Sequence, residues 1–276
     1  VGTMTQMLSS NLVYSSVLPD QSFLTGVNSA YNFIDLDGSD QSVISSSNIG
    51  ISGSNAFTMN GWFNLDAYGS FPVLMSTGTP TASGSPPNNI GHENTMIFRT
   101  DHNTVGWGNQ IGTHDFANAS GTTISLNTWF MATITYNGND TIKIYINGEL
   151  DGTKSDIVKS RVSINNNVLH IGQRDNVSGS PLFVNAKITQ CSAFNKTLSA
   201  PEILGIYNLT RHGNLLDSYS DNLLVYFAMG ALDASTGLSD SISTIYDRSG
   251  NSNHGTPQNA DAGDLASSPN AEPNGY

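Results

Sequence analysis

The sequence contains a single cysteine, Cys191, so no disulfide can form within the chain and its stability has to come from packing. No run of 18 or more apolar residues occurs, which excludes a membrane-spanning helix. The first residues carry neither a basic segment nor a compact apolar one, so no secretory leader is expected. Charge is also scarce. Asp, Glu, Lys and Arg make up 12% of the 276 residues, against roughly 25% in an ordinary globular protein. Ten Lys plus Arg against 22 Asp plus Glu leave a formal net charge of −12, a field that repels nucleic acid and anionic membrane surfaces. Neither nucleic-acid binding nor membrane insertion is expected.

Catalytic signatures are missing as well. Only four glutamates occur, Glu93, Glu149, Glu202 and Glu272; no two of them alternate along a strand, and Glu149 follows a turn, Glu202 caps a helix and Glu272 sits in the tail. Glycoside hydrolysis with retention needs two carboxyls about 5–5.5 Å apart, and inversion needs a wider pair. No serine stands in a nucleophile elbow, and no His or Cys cluster has zinc spacing. The six histidines are scattered. A hydrolase is therefore the least favoured reading, and a non-enzymatic role is expected.

What the chain does have is Asn, Ser, Thr and Gly in quantity, residues that suit turns and short strands. The segment 127–150 is the clearest case. Trp129, Met131, Thr133 and Thr135 alternate along one run, and Ile142, Ile144 and Ile146 along the next. Asn137-Gly138-Asn139-Asp140 joins them, and Asn147-Gly148 follows. Asn and Gly accept the positive φ that tight hairpin turns require, so antiparallel hairpins are predicted here. Further strands are expected at Tyr31–Leu36, Ala56–Leu65, Thr95–Thr100, Thr104–Ile111, Val168–Gly172 and Leu182–Asn195. Ser199-Ala200-Pro201-Glu202 has capping-box spacing and predicts one short helix near residues 200–208. Short strands separated by turn chemistry predict an all-β, two-sheet antiparallel sandwich. Residues 1–30 read as a polar arm and 31–208 as the sandwich. Residues 209–276 read as an extension with an apolar strand at 223–229 and a polar, extended or mobile tail. An exposed apolar edge aggregates, so that strand is expected to pair with this sandwich or with a neighbouring copy.

Several motifs in order carry a resemblance. They are Leu36-Asp37-Gly38-Ser39, Phe57-Thr58 followed by Trp62, and Trp129-Phe130-Met131-Ala132. Ile144-Tyr145-Ile146-Asn147-Gly148, Leu169-His170-Ile171-Gly172 and Ala186–Asn195 running into the helix complete the series. Together they resemble the laminin-G-like, concanavalin A-type jelly-roll family. The resemblance implies framework positions for Trp62 and Trp129. Members often carry an acidic pair in the penultimate strand, where this chain has Thr189 and Gln190. After the roll, LVYFAMG and IYDRSGNSNHGT are similar to an arrangement seen in modular virion proteins of tailed bacteriophages.

Two kinds of site are expected. Trp107, between Gly106 and Gly108, is the best candidate for stacking on a sugar, with Asn109, Tyr68 and the loop 76–95 as neighbours. The reading weighed against it, and favoured, is a core or intersubunit role. Hard cations take oxygen ligands from turns, so calcium is considered at Asp35, Asp37 and Asp40, and at Asp247 with Asn251. The competing reading is that these side chains brace their own turns. The functional expectation is a non-enzymatic virion component, a capsid decoration protein or tail appendage at the particle surface. Its partners would be other virion proteins, further copies of itself and glycans. The alternative is a carbohydrate-binding or adhesion module of a secreted bacterial protein.

Overall fold

The computed structural model describes residues 31–51, 55–69, 72–77, 94–99, 103–109, 115–118, 121–157, 168–173, 182–211, 213–229, 240–261 and 263–268. The arm 1–30, most of the loop 76–95 and residues 269–276 lie outside them. Strands are numbered in chain order. The front sheet runs β10 (Glu149–Lys154), β9 (Ile142–Ile146), β8 (Phe130–Tyr136), β3 (Phe57–Leu65), β12 (Asn185–Phe194), β1 (Tyr31–Asp37) and β15 (Leu265–Ser268), with β13 (Leu223–Phe227) also paired to β12. The rear sheet runs β14 (Gly255–Gln258), β2 (Ser42–Ser45), β11 (Leu169–Ile171), β4 (Val73–Thr77), β5 (Asn94–Arg99), β6 (Thr104–Asn109) and β7 (Asp115–Asn118). The pairs are antiparallel, and the two-sheet sandwich expected from the sequence is the fold.

Alternation along each strand sends one set of side chains between the sheets. Phe57, Met59, Phe63 and Leu65 of β3 and Ile142, Ile144 and Ile146 of β9 enter that core, facing Met75, Trp107, Leu169 and Ile171 of the rear sheet. Each such burial contributes ~1.5–3 kcal/mol. Gly61 stands where a Cβ would come within 2.7 Å of the Phe63 ring and 3.1 Å of Cys191 Sγ. Cys191 is buried in this core, and burial pushes its thiol pKa up, away from reactivity.

Both predicted turns form. Asn137 Oδ1 accepts backbone N–H bonds from Asn139, Asp140 and Thr141 at 2.9, 2.9 and 3.0 Å, and Gly138 takes φ 77°. Asn147 and Gly148 take φ 51° and 86°, the two-residue turn their chemistry favours. Thr135 thereby lies opposite Lys143, and Thr133 opposite Tyr145.

The outer face of the front sheet has a core of its own. The helix α1 (Ala200–Asn208) lies there, with Ile203 and Ile206 buried against Trp62, Met131, Tyr145 and Phe194. The Trp62 and Tyr207 rings stack at 5.6 Å between centroids, 16° from parallel. Trp129 packs edge-on to Phe33 at 6.0 Å and beneath the Arg211 guanidinium at 4.9 Å. Both tryptophans thus serve packing, as the family resemblance implied.

The C-terminal segment completes the sandwich. β12 bulges between Thr189 and Ser192, where Gln190 takes φ 52°. Its first half pairs with β1 and its second half with β13, so the apolar strand expected at 223–229 joins this same sandwich. β14 then edges the rear sheet on β2, and β15 edges the front sheet on β1. Of the last residues, read as an extended or mobile tail, those in Gly255–Gln258 and Leu265–Ser268 are extended and paired. Those residues alternate weakly, and their order comes from main-chain pairing with a distant strand.

The turn between β13 and β14 is held by Asp247. Its Oδ1 accepts the N–H groups of Tyr226 (3.0 Å) and Ser249 (2.9 Å), and its Oδ2 that of Asn253 (2.9 Å). Replacing a buried acceptor leaves several donors unsatisfied, at ~1–3 kcal/mol each. Asp247→Ala is expected to lower unfolding free energy by about 3 kcal/mol or more in urea titration. A loss under about 1 kcal/mol would mean the C-terminal strands are not integral to the fold.

Candidate functional site

Trp107 is paired with Met96 on one side and Ala117 on the other, and none of its surface is exposed. Stacking on a sugar is therefore corrected, and the core role weighed against it is the one observed. Gly106 and Gly108 flank it in sequence, but successive strand residues face opposite ways, so the glycines leave no space around the ring. Asn109 ends β6 opposite Asp115. Tyr68 is 42% exposed and its hydroxyl donates to the Ile124 carbonyl at 3.0 Å.

The acidic turns do not converge into a cation cage. Among the described residues, no three His, Cys, Asp or Glu side chains lie close enough to share a metal. Asp35 faces Lys187 at 3.9 Å, and Lys187 is bound more closely by both oxygens of Asp66, at 2.6 and 2.7 Å. Burial raises the Asp35 pKa, against the opposing pull of Lys187, and Asp66 and Asp264 add to the rise. Asp37 Oδ1 accepts the Ser39 N–H at 2.8 Å, and the Asp40 carbonyl accepts from Asn259 at 3.0 Å. Asn251 donates to the Leu223 and Leu224 carbonyls at 2.9 and 3.1 Å. These polar groups brace strands and turns.

A site does emerge on the outer face of the front sheet, where α1 stops short of the β8–β9 hairpin. A groove of about 550 Å³ runs there, lined by Thr135, Asn137, Thr141, Lys143, Tyr145, Thr197, Leu198, Ser199 and Ala200. That volume lies within the ~300–1,000 Å³ usual for small-ligand sites. Tyr145 is only 3% exposed, and among the described residues its hydroxyl has no hydrogen-bond partner. Burial raises its pKa, so it is a neutral donor and acceptor at physiological pH. The Thr135 hydroxyl and the Lys143 ammonium are likewise without protein partners among the described residues. Thr135 and Lys143 are directly opposed across the ladder, and Tyr145 is diagonal to Thr135, within roughly 8 Å. Three unengaged polar groups of differing chemistry thus converge on one apolar-floored groove.

The wall of the groove is fixed by local bonds. Thr197 Oγ1 donates to the Tyr136 carbonyl at 2.7 Å, and the Leu198 N–H donates to Thr58 Oγ1 at 3.0 Å. Glu202 accepts the Ser199 N–H at 2.8 Å and pairs with Lys196 at 2.5 Å. These groove residues were absent from the sequence candidates. The register of the 137–140 hairpin was the available signal, since it sets Thr135 against Lys143 and Tyr145 one pair further on.

The match to known proteins accords with this architecture. A family model described as the concanavalin A-like lectin/glucanases superfamily matches residues 37–204. The chain belongs to that superfamily. Among solved structures, it is similar to a protein from Bacteroides ovatus provisionally named as carbohydrate binding, at TM-score 0.54 and 14% identity, over 82% of this chain and 58% of that one. It is also similar to the native heptameric SAP-like pentraxin of Limulus polyphemus, at TM-score 0.50 and 14% identity, over 68% and 85% of the two chains. At these identities the likeness is one of fold. Botulinum neurotoxin type E of Clostridium butyricum is 24% identical over 188 residues, 62% of this chain, and the match spans 13% of the toxin's length. No helix among the described residues is long and apolar enough to cross a membrane.

Anchoring of the groove wall depends on pH. The Lys196 and Ser199 hydrogen bonds hold the Glu202 carboxyl down at about 2, from an ordinary 4.5. The folded pKa is depressed, so its contribution is full above pH 4.5 and fades as pH falls toward about 2. The pair is partly exposed, and the effect is expected at about 1 kcal/mol. Between pH 6 and pH 3, Glu202→Gln should lose less stability than wild type by that amount in denaturant titrations. Equal losses would show that the carboxylate does not secure the helix.

Proposed function

We propose that this protein is a non-enzymatic, lectin-like component of a bacteriophage virion, a capsid decoration protein or tail appendage, that holds glycans in the groove beside α1. The observation that carries the binding reading is Tyr145, a nearly buried phenol whose unpartnered hydroxyl lines a groove walled by hydroxyls, an amide and an amine. Such a set suits sugar hydroxyls, which both donate and accept. Among the described residues no carboxylate lines the groove, and a lining without an acid pair suits holding a sugar intact. The virion reading rests on the sequence arrangement after the roll, where LVYFAMG and IYDRSGNSNHGT follow the closing helix. The C-terminal strands are bonded into both sheets, so attachment to a particle would use a finished surface of the sandwich together with the arm 1–30.

A secreted carbohydrate-binding or adhesion module is the second reading, favoured by superfamily membership alone. Two experiments test the pair. On a glycan array, wild-type protein is expected to bind saturably, with Tyr145→Phe and Thr135→Val each weakening binding about five- to tenfold while leaving the fold intact. Unchanged binding by both variants would remove the groove as the site. Immunogold labelling of purified particles should decorate their surface. Antigen found only in the soluble or secreted fraction would replace the virion reading with the second one.

A further inference from the structure

Among the described residues the groove contains one formal charge, and it is positive. Lys143 is among only ten Lys and Arg residues in a chain of net charge −12, and it projects beside Thr135 and Tyr145 without an ion-pair partner among the described residues. Among the described residues, three other cations of this side of the sheet are engaged. Lys187 is held by Asp66 and Lys196 by Glu202, while Arg211 lies over Trp129. Two carboxylates on segments that wall the groove are themselves occupied. Asp140 accepts from the Asn137 amide at 3.0 Å and the Thr141 hydroxyl at 2.8 Å, and its pKa is lowered by those bonds. Glu202 is committed to Ser199 and Lys196. A neutral sugar would leave the Lys143 ammonium over an apolar floor with no counter-charge.

Resting on the glycan reading of the groove, we infer that its ligand is an anionic saccharide, whose carboxylate or sulfate pairs with Lys143 while its ring hydroxyls meet Tyr145 and Thr135. The pair is sheltered on one side by the 197–200 wall, which makes the charge-assisted bond stronger than at an open surface. Tyr145 fixes the orientation. Its hydroxyl and the Lys143 ammonium stand on the same strand two residues apart, on one face, so a single sugar residue can reach both. The overall acidity of the protein works against the ligand at long range, and salt screens that repulsion and the Lys143 attraction alike. Discrimination therefore has to come from the short contact.

The test is an array carrying carboxylated sugars in free and methyl-ester forms, sulfated sugars beside their unsulfated parents, and neutral sugars, read with wild type, Lys143→Gln and Tyr145→Phe. Wild type is expected to bind an anionic sugar about tenfold or more tighter than its neutralised counterpart. Lys143→Gln should erase that difference while keeping the weaker neutral binding, and Tyr145→Phe should weaken both forms. Preference confined to the carboxylated or the sulfated arm identifies the anion. Equal affinity for charged and neutralised forms in wild type, or an unchanged preference in Lys143→Gln, would overturn the inference while leaving the groove a sugar site. Absence of binding to any sugar would take down the inference and the glycan reading together. Thermal unfolding of both variants near wild type excludes misfolding as the cause.

Discussion

The central strands β3 and β8 of the front sheet are buried on both faces, and the rest of the architecture depends on that constraint. One face meets the rear sheet across the main core. The other would expose Trp62, Met131, Tyr145 and Phe194 to water were α1 not seated on it by Ile203, Ile206 and the Tyr207 ring. The seat also requires the Asn147-Gly148 turn. A Cβ at Gly148 would stand 3.0 Å from Leu204 and 3.1 Å from Tyr207, so its absence, at a φ of 86°, lets the hairpin lie close against the helix. The helix is nine residues long and cannot cover the whole face. The uncovered remainder, between its N-terminus and the β8–β9 hairpin, is the groove. The site is thus what is left where a short helix runs out over a wide sheet.

The opposite side of the sandwich is sealed by a different device. A bulge in β12 divides one strand edge between β1 and β13, partners far apart in the chain. From there the chain crosses to β2 and returns to β1, and Asp247 ties the crossing by accepting from three backbone N–H groups. Ser47 adds a link by donating to Asn253 at 2.7 Å. The motif that reads in sequence as a possible cation loop is a clasp between the sheets.

How much was legible in the sequence follows from where the information resides. The helix and both hairpin turns depend on local chemistry, the Ser199–Glu202 capping box and the Asn-Gly pairs, and were found within a residue or so. Long strands with apolar alternation, β3, β8 and β9, were equally plain. The short strands β2, β7, β10, β14 and β15 were not, because polar sequences such as SVIS, DFAN and LASS gain their extended form only from neighbours distant in the chain. The site failed for a related reason. The glycines beside Trp107 in sequence say little of its surroundings, because a strand residue is surrounded by its cross-strand partners, here Met96 and Ala117. Thr135 and Tyr145 drew no attention as buried strand residues. Their role depends on the length of α1 and on the β8–β9 register, and only the three-dimensional arrangement joins the two.

The central claim is that sugars are held on the outer face of the front sheet and not at the sandwich rim or the rear sheet. The most direct measurement is a crystal structure of the protein soaked with a bound oligosaccharide. Density between the 197–200 segment and the β8–β9 hairpin, with a sugar oxygen within hydrogen-bond distance of the Tyr145 hydroxyl, is the predicted result. An ordered sugar elsewhere on the molecule, with that groove holding only water, would contradict the account.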